Sequence, residues 1–402
     1  MPASPSTARA INDRLALRLL QDEGPLTAGQ LKELTGLSRP TVADLVERLQ
    51  GSGLIQVVGE TGADRRGPNA RLYGIVADRA HLAALDVRTS SVSVVVTDLL
   101  GVPLAEASLP MRADDPATDT AGAAAGTEPA VERAAALLER TARRAGATRL
   151  HSVGIGAPGL IDPVTGELRD SAKLPAWHRR LVPVLQQRLP ATTVHIENET
   201  NVAAVAEQRE GAARDRDTFV LLWLGHGVGA AVVLDGRPRR GASGGAGEIG
   251  FLPVPGTGTL PSATGCEGGF HALAGSAAIL ALAGEHGLAA DDGPGHEPPG
   301  AVVVRAALAA GAGSFLDALA ERVALGAAAV TAVLDPGCVV LGGEIGHAGG
   351  PALAARVETR LTALSPLRTE VRASTLGGAA VLRGALLTVR DKSQDELFAP
   401  TR

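Results

Sequence analysis

Between Thr27 and Gln50 the sequence carries two short amphipathic helices separated by a turn, a pattern that few folds accommodate. Thr27, with Gln30 three residues later, has the spacing of a capping box, and Leu31 and Leu34 give a short apolar face that Thr35-Gly36 breaks. Ser38 caps the next helix, Pro40 stands in its first turn, and Val42, Leu45, Val46 and Leu49 fall at i, i+3, i+4 and i+7. An earlier helix over 8–23 places Ile11, Leu15 and Leu19 four apart with Leu20 beside them, and Gly24-Pro25 ends it. Leu54–Val58, the turn-rich stretch 59–69 and Ala70–Ile75 read as two strands joined by an arginine-bearing loop. Three helices followed by a β-hairpin predict a winged helix-turn-helix over residues 1–78.

If Val42, Leu45, Val46 and Leu49 face the core, Thr41, Asp44 and Arg48 point outward, with Ser38 and Arg39 at the helix N-terminus. Such a face suits a DNA major groove. Arg39 or Arg48 can read a guanine edge or bind phosphate, whereas Asp44 repels phosphate unless it accepts from a cytosine amino group. Arg65, Arg66 and Arg71 on the wing fit phosphate or minor-groove contacts. The DNA-binding candidates are therefore Ser38, Arg39, Thr41, Arg48, Arg65 and Arg66, with double-stranded operator DNA as partner. The alternative is a solvated helix face in a small bundle.

From His81 the texture changes to short β-rich runs alternating with Ala-rich helices, which predicts a mainly α winged helix-turn-helix joined to an α/β unit over 79–402. Strands are expected at Leu82–Val87, Ser91–Asp98, Ser108–Met111, Ser152–Ala157, Thr193–Glu197, Phe219–Leu224, Val228–Leu234 and Val339–Leu341, and long helices at Ala130–Gly146, Ser314–Leu334 and Gly377–Arg390. The opening at 82–111 and the pair at 219–234 suggest two related halves, with 113–129 and 287–300 as loops.

With 45% apolar and 20% charged residues in 402 and a net charge of −5, the chain fits neither the disordered nor the membrane class. Its longest apolar stretches are broken by glycine and histidine, residues 1–14 lack the apolar core of a signal peptide, and Cys266 and Cys338 cannot form a disulfide scaffold. A cytoplasmic protein without membrane contact is expected. Only eight aromatic side chains argue against stacking-based binding of single strands.

Four further segments carry chemistry. Gly154-Ile-Gly-Ala-Pro-Gly159 is a glycine-rich turn at a strand end, which lets a ligand approach backbone N–H groups, although such turns are also common punctuation. Glu197-Asn-Glu-Thr-Asn201 gathers polar groups at a strand's carboxyl end, where α/β folds bind ligands, or else serves as a helix cap. Leu224-Gly-His-Gly-Val-Gly229 sits inside a hairpin, and Glu248 stands among glycines as an acceptor for a ligand.

In this order and spacing the chain resembles the ROK family of bacterial sugar kinases and transcriptional regulators. The residues that carry the resemblance are Gly154–Gly159, Asn198 with Asn201, Gly225–Gly229, Asp235-Gly236, Gly247-Glu-Ile-Gly250 and Leu341-Gly-Gly343, and they cover nearly the whole chain. The resemblance implies a fold of two actin-like lobes closing on a sugar, with ATP in the same cleft in the kinases. The lobe boundary is expected near 200–218, with the last helix returning to the first lobe. The N-terminal winged helix marks the regulator branch.

Departures from the family pattern bear on mechanism. Where the kinases have an Asp-x-Gly-Gly-Thr turn that cradles phosphate, Asp86-Val-Arg-Thr-Ser90 has no glycine and presents Arg88. Glu199 stands at the position of the catalytic Asp, about a bond length further out, and a misplacement near 1 Å costs on the order of 10²-fold. Phe251 replaces the zinc-site histidine, and only Cys266 lies near the family's three-cysteine cluster. We therefore expect no catalytic residue, no metal and no cofactor. The expectation is a repressor of carbohydrate genes, acting as a homodimer or homotetramer and controlled by a sugar or sugar-derived effector at Gly156, Gly159, Asn198, Glu199 and Glu248. Lys173 adds the option of an acidic or phosphorylated sugar. The alternatives are a sugar kinase with an appended DNA module, and lobes that only oligomerise.

Overall fold

A computed structural model describes residues 5–61, 70–111, 127–169, 174–262, 264–289 and 297–399. The N-terminal unit runs α1 (Pro5–Asp22), β1 (Leu26–Thr27), α2 (Ala28–Thr35), α3 (Arg39–Gly51), β2 (Ile55–Thr61) and β3 (Ala70–Ile75). The capping box at Thr27 is formed, with the Thr27 N–H donating to Gln30 Oε1 at 2.9 Å and Thr27 Oγ1 accepting from the Gln30 N–H. Gly36, at φ 69°, terminates α2, and Ser38 Oγ accepts from the Thr41 N–H to start α3. β1 is too short for any periodicity to reveal, yet it pairs with β3 and completes a sheet ordered β1-β3-β2.

Leu31, Val42, Leu45, Val46, Leu49, Ile55 and Ile75 form the core of this unit. The α1 stripe differs from the expected one. Ala16, Leu17 and Leu20 are buried, whereas Ile11 and Leu15 are 59% and 40% exposed. The reason is tertiary: Leu99 and Phe398, from far along the chain, join the same core and turn α1 towards them.

The first lobe comprises β4 (His81–Val87), β5 (Ser91–Thr97), β6 (Pro103–Pro110), α4 (Thr127–Arg144), β7 (Leu150–Ala157), α5 (Trp177–Arg188), β8 (Thr193–Asn198) and α6 (Glu199–Arg209). Its sheet is ordered β6-β5-β4-β7-β8; β4, β7 and β8 are parallel, and β5 and β6 extend it antiparallel. The second lobe contains β9 (Phe219–Leu224), β10 (Val228–Leu234), β11 (Arg237–Pro238), α7 (His271–Ala274), α8 (Ser276–Glu285), α9 (Pro299–Ala309), α10 (Gly313–Leu334), β12 (Cys338–Gly342), α11 (Gly343–Leu364) and β13 (Glu370–Ala373). Its sheet, β11-β10-β9-β12-β13, repeats the same order and strand directions, so the two lobes share one topology.

The last helix, α12 (Ala380–Leu397), joins all three units. Its N-terminal half lies on the first sheet and on α6. A methyl group on Gly156 would come within 2.6 Å of Val381 Cγ1, and one on Gly384 would collide with the Val202 carbonyl, so glycine at both positions lets the elements touch. At its other end Gln394 Nε2 donates to the Leu99 carbonyl at 2.9 Å and to Gln21 Oε1 at 2.8 Å, Asp395 pairs with Arg14 on α1, and Phe398 enters the winged-helix core. No described helix is long and apolar enough to cross a membrane.

Candidate functional site

The outward face of α3 is exposed at Arg39, Pro40, Ala43, Asp44, Glu47 and Gln50. Arg39 is free of ion pairs among the described residues and stands at the helix N-terminus beside Ser38. The Ser38 hydroxyl is shared with Thr41 Oγ1 at 2.8 Å, so both side chains are held at the start of the helix. Arg48 departs from the expected outward position. Its guanidinium pairs with Asp13 of α1 at 2.6 Å and with Asp44 one turn earlier, and the hydrogen bonds it donates to Asp13 hold its pKa above the ordinary value. Arg48 therefore braces α3 against α1, and Asp13, 35 positions earlier in the chain, is a partner that the α3 pattern does not reveal. Arg71 is exposed on β3, whereas Arg65 and Arg66 lie outside the described residues.

The second candidate site lies at the carboxyl ends of β4, β7 and β8, where the register aligns Asp86, Gly156 and Glu197 across the sheet. Asn198 caps α6. Its Oδ1 accepts from the Thr200 and Asn201 N–H groups at 2.9 and 3.2 Å, and its Nδ2 donates to the Gly159 carbonyl at 3.1 Å and to Glu199 Oε2 at 2.9 Å. An amide has two donor hydrogens and two acceptor lone pairs, so Asn198 has none left for a ligand. Gly156 is likewise removed from the mouth of the cleft, since it is buried beneath Val381 and Val202. Both positions are taken up by contacts within the protein.

The carboxyls that remain are perturbed. Burial pushes Glu199 up to about 8, with the charges of Glu248 and Asp86 adding to the effect, so at neutral pH Glu199 carries a proton and can donate. Burial also raises Asp86 to about 6, against the opposing charge of Arg88, and raises Glu248. Asp86 Oδ1 and Asn201 Oδ1 are buried without a hydrogen-bond partner among the described residues. Glu197 is neutralised by Arg240, whose Nε donates to it at 2.7 Å. A donor carboxyl and little net positive charge suit the hydroxyls of a polyol better than a phosphate.

Arg88 reaches across the cleft. Its Nε donates to Asp86 Oδ2 at 2.9 Å, one terminal nitrogen pairs with Glu344 at the start of α11, and the other donates to the Gly378 carbonyl at 3.2 Å. Burial works against the guanidinium charge, but Asp86 and Glu344 outweigh it and hold Arg88 above its ordinary value. Gly225, in the β9–β10 turn, lies against the same carboxylate, for a methyl group there would be 3.0 Å from Glu344 Oε2. A phenyl ring cannot ligate a metal, so Phe251, which is 40% exposed, and Cys266, the one cysteine of its loop, do not make a structural zinc site.

Two features of this site were not foreseen from sequence. Glu344 follows Leu341-Gly-Gly343 directly, so the motif named its address but not its partner. His178, next to Trp177, is buried with its ring edge-on to the indole at 4.3 Å, and burial pushes it down to about 4.

Comparison with known proteins agrees with this architecture. Residues 11–67 match the model of the MarR family, and residues 118–392 match that of the ROK family. The xylose repressor of Caldicellulosiruptor bescii is 24% identical over 248 residues, which are 61% of this chain and 59% of that protein. The DNA-binding transcriptional dual regulator NagC of Escherichia coli K12 is 26% identical over 248 residues, 61% of this chain and 58% of NagC. The chain thus spans somewhat under two thirds of these relatives. A crystal structure of a ROK family transcriptional regulator, a homolog of the E. coli Mlc protein, superposes with a TM-score of 0.74 at 21% identity, covering 97% of this chain and 98% of the other. A MarR-type winged helix thus precedes two actin-like lobes, and the chain belongs to the ROK family.

Proposed function

We propose that the protein is a cytoplasmic DNA-binding transcriptional repressor whose operator affinity changes when a sugar or sugar-derived effector enters the cleft between the lobes, and that it is not a sugar kinase. The observation that carries this reading is α12: one helix packs on the cleft wall at Gly156 and plugs Phe398 into the winged-helix core, so the two sites share a rigid element. A ligand with different affinities for two lobe arrangements then shifts the DNA-binding unit between two placements. The names of the repressors to which the chain is similar support the same reading.

On the DNA side, Arg39 reads a base edge or phosphate, Ser38 and Thr41 contact the backbone at the α3 N-terminus, and Arg71 with Arg65 and Arg66 serves the wing. Arg48 contributes by bracing α3. A homodimer or homotetramer presents paired α3 helices to a symmetric operator. On the effector side, Glu248 and protonated Glu199 take the hydroxyls, while Asn198, Gly156 and Gly159 hold the wall. A site built to satisfy hydroxyls rejects ligands without them, because its own buried polar atoms then go unpaired. The acidic cleft favours a neutral polyol over a phosphorylated one; Lys173, which suggested an acidic sugar, lies outside the described residues.

Calorimetry with a panel of neutral, acidic and phosphorylated sugars, followed by operator titrations with and without the bound sugar, tests this. A neutral sugar should bind, lose affinity in Glu248→Gln and change operator affinity. Turnover of ATP with any of these sugars at about 1–100 per second, as in kinases, refutes the reading.

A further inference from the structure

The kinases to which this chain is related close their two lobes around a nucleotide. Three turns meet between the lobes here: residues 88–90 after β4, the β9–β10 turn at Gly225, and the start of α11 at Gly343-Glu344. They converge on a side chain. Arg88 leaves the first turn, and its three guanidinium nitrogens each have a different partner: Asp86 in its own lobe, Glu344 in the other lobe, and the Gly378 carbonyl two residues before α12. The side chains of Arg88, Asp86 and Glu344 are 25%, 6% and 12% exposed, so the cluster is largely withdrawn from water and from screening by salt.

We infer that Arg88 is a built-in substitute for the nucleotide, an ionic strap that closes the two lobes on each other and fixes the start of α12 without any bound phosphate.

The charge pattern supports the substitution. A nucleotide brings negative charge, with a divalent cation, to a cradle of backbone N–H groups. This chain has replaced the glycines of the first turn and placed a cation there, and the anions are its own Asp86 and Glu344. An incoming phosphate would have to displace two carboxylates from Arg88 and then lie beside both. The planar guanidinium is the group for this task, since it can engage partners in several directions at once and stays charged when buried. Because the third partner belongs to the segment that leads into α12, loosening the strap frees the N-terminal end of the helix whose far end holds the winged helix. This inference stands whatever the cleft binds.

The test uses the full-length chain as wild type, Arg88→Met and Glu344→Gln. Small-angle X-ray scattering reads the separation of the lobes, and amide hydrogen exchange reads residues 377–397. Both variants should show a larger radius of gyration. Exchange protection at the start of α12 should fall by roughly tenfold or more, as expected when one member of a buried pair is removed, while α10 inside the second lobe keeps its protection. The isosteric Glu344→Gln change preserves shape, so it answers the question if Arg88→Met does not fold. Wild type titrated with Mg·ADP into the millimolar range should show no saturation. Scattering and exchange equal to wild type in both variants would overturn the inference, as would loss of protection spread uniformly over both lobes. Saturable Mg·ADP binding by the wild type would also overturn it.

Discussion

Replacing Glu199 by Gln isolates the electrostatic cost of the cleft. A carboxyl that titrates at 4.5 in the unfolded chain and at about 8 in the cleft has two proton affinities whose difference, at about 1.4 kcal/mol per factor of ten, bounds the effect at roughly 5 kcal/mol. The sign follows from which state holds the proton. Below pH 4.5 both states are protonated and Glu199 contributes nothing. As the pH rises from there to about 8, the unfolded chain gives up the proton while the native chain keeps it, so native stability falls; above about 8 the loss is constant. Gln resembles the protonated carboxyl, still offers an oxygen to Asn198 Nδ2, and does not titrate. The stability of Glu199→Gln minus that of wild type should therefore grow between about pH 5 and about pH 8, reaching a few kcal/mol at pH 7, and then level off. Urea unfolding of both proteins across that range measures it; titrating groups not coupled to Glu199 cancel in the difference, which leaves Glu199 and its coupling to Glu248 and Asp86. A difference that stays flat with pH would mean that Glu199 ionises normally and that the cleft does not desolvate it.

Three further outcomes follow from the same contacts. Glu248→Gln removes a charge that raises Glu199, so a carboxyl-selective NMR titration should find Glu199 titrating lower; an unmoved Glu199 would separate the two side chains. Phe398→Ala empties part of the winged-helix core at a cost of about 3–5 kcal/mol, and calorimetry should show the N-terminal unit melting apart from the lobes, whereas a single unchanged transition would deny the docking role of α12. Gly384→Ala drives a methyl group into the Val202 carbonyl and should destabilise by about 1–3 kcal/mol or more; a neutral substitution would mean that α6 and α12 are not in contact.

The parts of this fold that the sequence announces are those specified locally. The cap at Thr27, the cap at Ser38 and the i, i+3, i+4, i+7 spacing from Val42 to Leu49 act within one turn of helix, and they read correctly. The face of α1 did not, because Ile11 and Leu15 match the helical period as well as Leu17 and Leu20 do, and the choice between them is made by Leu99 and Phe398. Strands β11 and β13, of two and four residues, are too short for an alternation to register, and β6 extends beyond the expected Ser108–Met111 as an edge strand with alternating exposure. In the cleft, the polar motifs located the strand ends, but which atoms remain free depends on partners. Asn198 is used up by its cap, and Gly156 by α12. Arg88 was visible as a departure from a glycine turn, yet its meaning came from Glu344, 256 positions away in the chain.

The proposed function requires that this chain read duplex DNA through α3. Selection of bound duplexes from a fragmented genome by the full-length protein, followed by affinity and salt titrations on the recovered sequence with wild type and Arg39→Ala, tests it most directly. A preferred duplex is expected, with a loss of about 1–3 kcal/mol in Arg39→Ala if the side chain holds a base edge, and a binding constant that falls steeply with salt. Recovery of no sequence above background, or equal affinity of wild type and Arg39→Ala for the recovered duplex, would contradict it.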